Sequence, residues 1–242
     1  MSFADSLDIL YEDNHCLALS KPAGWPTTHF DGKEETVDRL VKAYLKEKYD
    51  KPGKVFLGVV QRLDKPVSGV LLFARTSKAA ARLSEQFREG AIEKTYWGVV
   101  ETSPKPTDSG PWASSDSGSL EDWLKKDDPM ARVEVVPADT PGAQFARLLF
   151  TVRGRHEGLT CLELRPHTGR KHQLRVQLAS RGSPIYGDAK YGSDHAFGRA
   201  IALHARSLTF LHPVSKEPIT LTAELPALWR GRFARLLTSD LA

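Results

Sequence analysis

Residues 55–74 read VFLGVVQRLDKPVSGVLLFA. The two ends, Val55 to Val60 and Val70 to Ala74, are apolar and rich in β-branched residues, so each reads as a strand. Between them, Gln61-Arg62-Leu63-Asp64-Lys65-Pro66-Val67-Ser68-Gly69 sets one carboxylate among basic side chains, on a loop that the two strands hold in place. Pro66 stiffens the turn, and Gly69 permits a close approach of backbone or ligand. A carboxylate in such surroundings is ionised at neutral pH, so it is available as a nucleophile and poor as a general acid. Taken alone, the loop reads first as an ordinary surface ion pair of Asp64 with Arg62 or Lys65, worth about 0–1 kcal/mol.

Working toward the amino terminus, Val37, Leu40, Val41 and Tyr44 recur at helical spacing between Thr36 and Tyr49. Before them, Ile9-Leu10-Tyr11 and Cys16-Leu17-Ala18-Leu19 read as strands around a polar turn, and Lys21-Pro22-Ala23-Gly24 stops the second. Toward the carboxyl terminus, Ser77 is the expected cap of a helix reaching Glu89, with Gly90 as its left-handed terminator. Lys94 to Val100 follows as a strand. From Ser103 to Asp128 the composition shifts to Ser, Pro, Gly, Asp and Lys, which reads as a long peripheral connection or insertion. Phe150 to Val152 and Leu159 to Leu164 read as strands. Thr168 is the expected cap of a helix over 169–180, and Ser207 to Leu211 and Ile219 to Leu225 are strand-like. Strands and helices do not alternate in a βαβ rhythm. The fold class is therefore α+β on a mixed or antiparallel sheet with flanking helices, in one domain over residues 1–242.

A second charged island, Arg165-Pro166-His167-Thr168-Gly169-Arg170-Lys171-His172-Gln173-Leu174-Arg175, runs on to Arg181 without an acid before Asp188. A solvated helix face would normally interleave acids, so this stretch fits an anion site better. His167 and His172 stand five residues apart with no third ligand near, and no metal site is expected. No Gly-rich phosphate cradle, Gly-x-Ser-x-Gly elbow or His-Glu-x-x-His occurs, which removes the anchors of nucleotide-cofactor, serine-hydrolase and zincin chemistry.

The 242 residues carry a formal net charge of +4 and a pI near 9.0, too weak a bias to identify a nucleic-acid partner without the clustering above. The two cysteines, Cys16 and Cys161, form no disulfide or zinc pattern, and the expected compartment is the reducing cytoplasm. No basic-then-apolar leader and no long apolar run occur, so secretion and membrane spanning are disfavoured.

Taken together, the islands resemble the RluA family of RNA pseudouridine synthases. The ordered motifs are Tyr11-Glu12-Asp13, Lys21-Pro22-Ala23-Gly24, Arg62-Leu63-Asp64 with Ser68-Gly69, and Lys94-Thr95-Tyr96. They continue with Thr168 to Arg175, Pro184-Ile185-Tyr186-Gly187-Asp188 with Tyr191-Gly192, Leu203-His204-Ala205, and His212-Pro213. The resemblance implies a bent sheet split by a central RNA-binding cleft, action on tRNA or rRNA stem-loops, and no metal or organic cofactor; a monomer is the default expectation. It implies Asp64 as the catalytic aspartate, Tyr96 as the tyrosine against the target base, and Arg170 as the basic partner of the aspartate. Arg62, Lys171, Arg175 and Leu203 are its expected RNA contacts. Gln61, Val67 and Gln177 depart from the family's usual His, Thr and His, which bears on RNA contacts rather than on catalysis. The stretch before Tyr11 is too short for the S4 RNA-binding domain of some relatives.

Isomerising uridine requires an ionised carboxylate at the sugar, a pocket that retains the detached base, and exclusion of water. Two other readings predict different behaviour. A non-catalytic RNA-binding or folding factor would not need Asp64, and a small-molecule glycosidase would need a second carboxylate that the islands lack.

Overall fold

The computed structural model describes residues 7–28, 34–102, 110–127 and 132–237, and packing groups the chain into two compact units. The first unit comprises residues 1–94 and 205–225, the second residues 95–204 and 226–242.

In the first unit, β1 (Ile9–Glu12) and β2 (Cys16–Lys21) form a hairpin, and β2 pairs antiparallel with β4 (Ser68–Ala74) from Cys16↔Ala74 to Lys21↔Gly69. All seven residues of β4 are buried, which is why its sequence is a continuous apolar run and not an alternation. The strand expected over Val55–Val60 shrinks to β3 (Gly58–Val59), facing Phe73 and Ala74. β4 has β2 and β10 (Leu203–Leu211) as its neighbours, so only the end of one edge is left for β3. β11 (Pro218–Thr222) completes the sheet on β10.

Two helices belong to this unit. Helix α1 (Val37–Lys48) buries Val37, Val41 and Leu45. Helix α2 (Ser77–Glu89) ends at Gly90 with φ +72°, as expected, but its cap is Thr76, whose hydroxyl accepts from the Ala79 N–H at 3.1 Å. Ala79 and Leu83 of α2 pack on Cys16, Ala18, Val70 and Leu72 to form the core.

In the second unit the strand order is β5 (Glu93–Glu101), β9 (Leu159–Pro166), β8 (Gln144–His156), β6 (Ser117–Asp127) and β7 (Arg132–Val136), with antiparallel pairing throughout. The expected peripheral connection thus contains an eleven-residue strand. Residues 103–109 and 128 of that connection lie outside the described residues. Its Trp112 is fully buried, donating its indole N–H to Ser183 Oγ at 3.2 Å and meeting Phe150 edge-on at 5.6 Å. The connection is therefore anchored in the core.

The helix expected over 169–180 forms only as α3 (Gln173–Ala179), because His172 sits in the left-handed region at φ +52°. Thr168 does not cap it. Instead, the Gln173 carboxamide accepts from the Thr168 hydroxyl at 2.7 Å and from the Arg170 N–H at 3.1 Å, and donates to the Arg147 carbonyl at 3.1 Å. Helix α4 (Ala227–Arg232) buries Trp229. Among the described residues no helix is long and apolar enough to cross a membrane.

Candidate active site

The loop carrying Asp64 is clamped at nearly every step. Before it, Leu63 exchanges both backbone groups with Thr27 Oγ1, accepting at 2.9 Å and donating at 3.2 Å. Asp64's own carbonyl accepts from the Val67 N–H at 3.0 Å, closing a turn. After it, the Lys65 carbonyl accepts from the Gly24 N–H at 2.7 Å and from Lys21 Nζ at 3.3 Å. Gln61 Nε2 donates to the Val70 carbonyl at 3.0 Å, tying the loop to β4. Gly69 has φ +115°, and a Cβ there would overlap the backbone N, C and O of Ala205. The glycine foreseen as a point of close approach is thus required by both conformation and space.

Lys21 is the unexpected member of this framework. Its side chain is wholly buried, and its ammonium donates to the carbonyls of Pro22 at 3.0 Å and Trp25 at 2.8 Å as well as to Lys65. Burial pushes its pKa down to about 7, a shift the negative charge of Asp64 partly offsets. The sequence offered Lys21 as part of a strand stop and of a family motif without a role, since burial of a lysine leaves no mark in local pattern. Asp64 itself is half-buried, and Arg62 is exposed beside it.

In the second unit, Tyr96 is half-buried on β5 opposite Leu164 of β9. The basic island divides into two unlike arginines. Arg170, expected to partner the aspartate, is exposed, with its Nε donating to the Phe145 carbonyl at 3.0 Å. Arg175, expected at the RNA surface, is buried on α3, and its Nε and Nη2 fork onto Asp188 at 2.7 Å each. Its guanidinium also lies 5.0 Å from the ring centroid of Tyr191. Tyr191 is fixed in turn by the Val133 N–H at 3.1 Å and His172 Nδ1 at 2.8 Å. Lys171 is exposed, whereas Leu203, another expected RNA contact, is buried at the start of β10. Asp188 and Tyr191 were quoted in the sequence as motif residues; their service to Arg175 is a tertiary fact.

The ligand atoms of Asp13, Cys16 and His212 all lie within 4.8 Å of one another. Hydrogen bonding accounts for them without an ion. Asp13 Oδ1 accepts from the N–H groups of His15 and Cys16 at 2.8 and 2.6 Å, and Oδ2 meets His212 Nε2 at 2.8 Å. His212 Nδ1 accepts from the Ser215 N–H at 3.0 Å, which leaves its proton on Nε2 for Asp13. Burial, aided by Asp13, pushes the Cys16 thiol up to about 12, so no thiolate is on offer at neutral pH. The trio latches the β1–β2 turn to the turn after β10.

Comparison with known proteins gives one consistent answer. A family model described as RNA pseudouridylate synthase matches residues 15–180. The chain is 33% identical to a tRNA pseudouridine synthase C of Yersinia pestis, over 98% of this chain and 93% of that protein. It is 35% identical to a ribosomal large subunit pseudouridine synthase D of Xanthomonas campestris, over 91% of this chain and 66% of that protein. Among solved structures, human RNA pseudouridylate synthase domain containing 4 superposes with a TM-score of 0.74 at 24% identity, covering 94% of this chain and 92% of that one.

Proposed function

The chain belongs to the RluA family of RNA pseudouridine synthases, and from that premise we propose that it isomerises uridines in structured tRNA or rRNA with Asp64 as its essential carboxylate. The observation that carries this reading is the clamping of the Asp64 loop by Thr27, Gly24 and Lys21, which gives one carboxylate a fixed position that a surface ion pair would not need.

The reaction breaks the N1–C1′ bond, turns the uracil and forms C5–C1′. The C5 proton is lost and N1 gains one, so no atom is added overall. Asp64 serves by attacking the sugar or base, or by taking a sugar proton to give a glycal. Tyr96 offers a flat face to retain the detached base and a hydroxyl near the C5 proton. The target nucleotide flips out of its stack, at a few kcal/mol that a loop or bulge lowers. Arg62 and Lys171, both exposed, hold the displaced RNA backbone. The basic partner that keeps the carboxylate ionised is drawn from the second island, in which Arg175 is fixed by Asp188 and Tyr191 and Arg170 is exposed. The two cysteines are buried and form no disulfide, which fits work in the cytoplasm.

Tritium release from C5-labelled uridine in total tRNA and rRNA tests this directly, since C5–C1′ bond formation expels the label. Release from either pool, lost in Asp64→Ala, is the expected result. Absence of release from both pools, despite RNA binding, would favour the binding-factor reading.

A further inference from the structure

Lys21 is a buried titratable group that the chemistry above leaves without a part. It closes β2 opposite Gly69 of β4 and is wholly buried. A methionine there would fill similar space without taking a charge out of water, so the lysine costs stability that packing alone does not ask for. Ionisable groups perturbed in this way gather where reactions are run.

Its bonds say what the charge is for. The ammonium's N–H groups answer three carbonyls, those of Trp25 at 2.8 Å, Pro22 at 3.0 Å and Lys65 at 3.3 Å. The first two belong to the segment after β2, and the third directly follows Asp64. A neutral amine has two N–H groups and a lone pair, so one carbonyl must go without. The longest bond, to Lys65, is the one given up, because that carbonyl also accepts from the Gly24 N–H at 2.7 Å. The Asp64 loop then stays tied through Gly24 and Thr27, but loses the tether next to its carboxylate and the positive charge that acts on it. Few other charges bear on Lys21. β4 and the 22–27 segment carry none. Asp8 ahead of β1 is exposed, Asp38 of α1 is paired with Lys42 at 3.1 Å, and Arg206 of β10 is turned to the Ala223 carbonyl. On the Asp64 loop, Arg62 is exposed and Lys65 is paired with Glu34, which leaves Asp64 as the charge that acts on Lys21. Burial sets the folded pKa at about 7, with Asp64 pulling it upward, so both protonation states are populated near neutrality.

We propose that Lys21 is a positioning residue for the isomerisation, whose ammonium holds Asp64 in its reactive place and whose neutral amine does not. This rests on the functional reading above and deepens it, by making the placement of the same carboxylate depend on a proton. Placement is a strong lever, since a displacement of about 1 Å at a reacting group costs about 10²-fold in rate. The protonation that serves the reaction is also the one the fold bears less well. Raising the pH therefore stabilises the folded protein through Lys21 and slows its reaction.

The test follows single-turnover tritium release at saturating RNA, and urea unfolding, side by side on the full chain from about pH 6 to about pH 9. The wild-type rate should fall by up to about tenfold per pH unit above the folded pKa, while stability rises over the same range. A merely structural Lys21 would make activity follow stability upward. Lys21→Met should react slowly at every pH without that descent. Its RNA affinity should stay within about twofold of wild type, because a wholly buried side chain meets no RNA. Lys94 is the other described lysine whose pKa burial lowers, and Lys94→Met should keep the descent. A wild-type rate that is level or rising overturns the proposal whether or not Lys21→Met folds. So does a descent that survives in Lys21→Met or vanishes in Lys94→Met, or a Lys21→Met rate that matches the wild type at the acid end. Release with a level profile refutes the positioning role and leaves the functional reading standing. No release at any pH from either RNA pool refutes the functional reading itself.

Discussion

Replacing Lys21 by Met makes the cost of burying a cation behind the Asp64 loop measurable. Lys21 has a folded-state pKa of about 7 against 10.5 for the free side chain. Between those values the unfolded chain holds a proton that the folded protein has released, so raising the pH favours the fold. Below the folded value both states are protonated and the term vanishes. Going from about pH 6 to about pH 9 crosses some two units above the folded pKa, each worth about 1.36 kcal/mol, so the wild type should gain about 2–3 kcal/mol from this one group. Lys21→Met has no such group and lacks the gain. Urea unfolding of both proteins at the two pH values isolates the effect, because every other titrating group cancels in the double difference. The neutral amine retains two N–H donors for three carbonyls, so the loop stays tethered above pH 7. Stability curves for wild type and variant that run parallel from about pH 6 to about pH 9 would refute the argument that Lys21 is a desolvated cation.

Other consequences follow from single contacts. Gly69→Ala should lose folding or displace the Asp64 loop, read as a collapse of activity out of proportion to any change in RNA affinity, since the added Cβ overlaps the Ala205 backbone and φ +115° is strained for alanine. Asp188→Asn leaves Arg175 buried with half its fork unanswered and should cost about 3–5 kcal/mol in denaturant unfolding. Cys16 should resist thiol reagents at neutral pH until the protein unfolds, because it is buried and its thiol ionises only near 12; rapid native labelling would contradict that.

Most strands and the carboxyl-terminal end of α2 were legible in the sequence because apolar periodicity and the terminating Gly90 are local signals. β6 was not. Its inner-facing positions are Leu120, Asp122 and Leu124, and the acid in the middle hides the period of two. Asp122 is tolerated there because Gln177 Nε2 and Arg181 Nη1 donate to it at 2.7 and 3.0 Å, partners more than fifty residues away. The shortened α3 has the same kind of cause, since the Gln173 side chain bonds the turn that a helix would otherwise have absorbed. Asp64, Tyr96 and the basic island could be singled out by residue type and order. Which of two nearby arginines is buried, and that a lysine far upstream braces the Asp64 loop, are decided by tertiary packing. No spacing rule carries that information.

The central claim is that Asp64 drives the isomerisation, and the most direct measurement is single-turnover tritium release from C5-labelled RNA by wild type and Asp64→Asn, with RNA binding measured in parallel. The account predicts release by the wild type alone, with both proteins binding the RNA. Release by Asp64→Asn at the wild-type rate would contradict it.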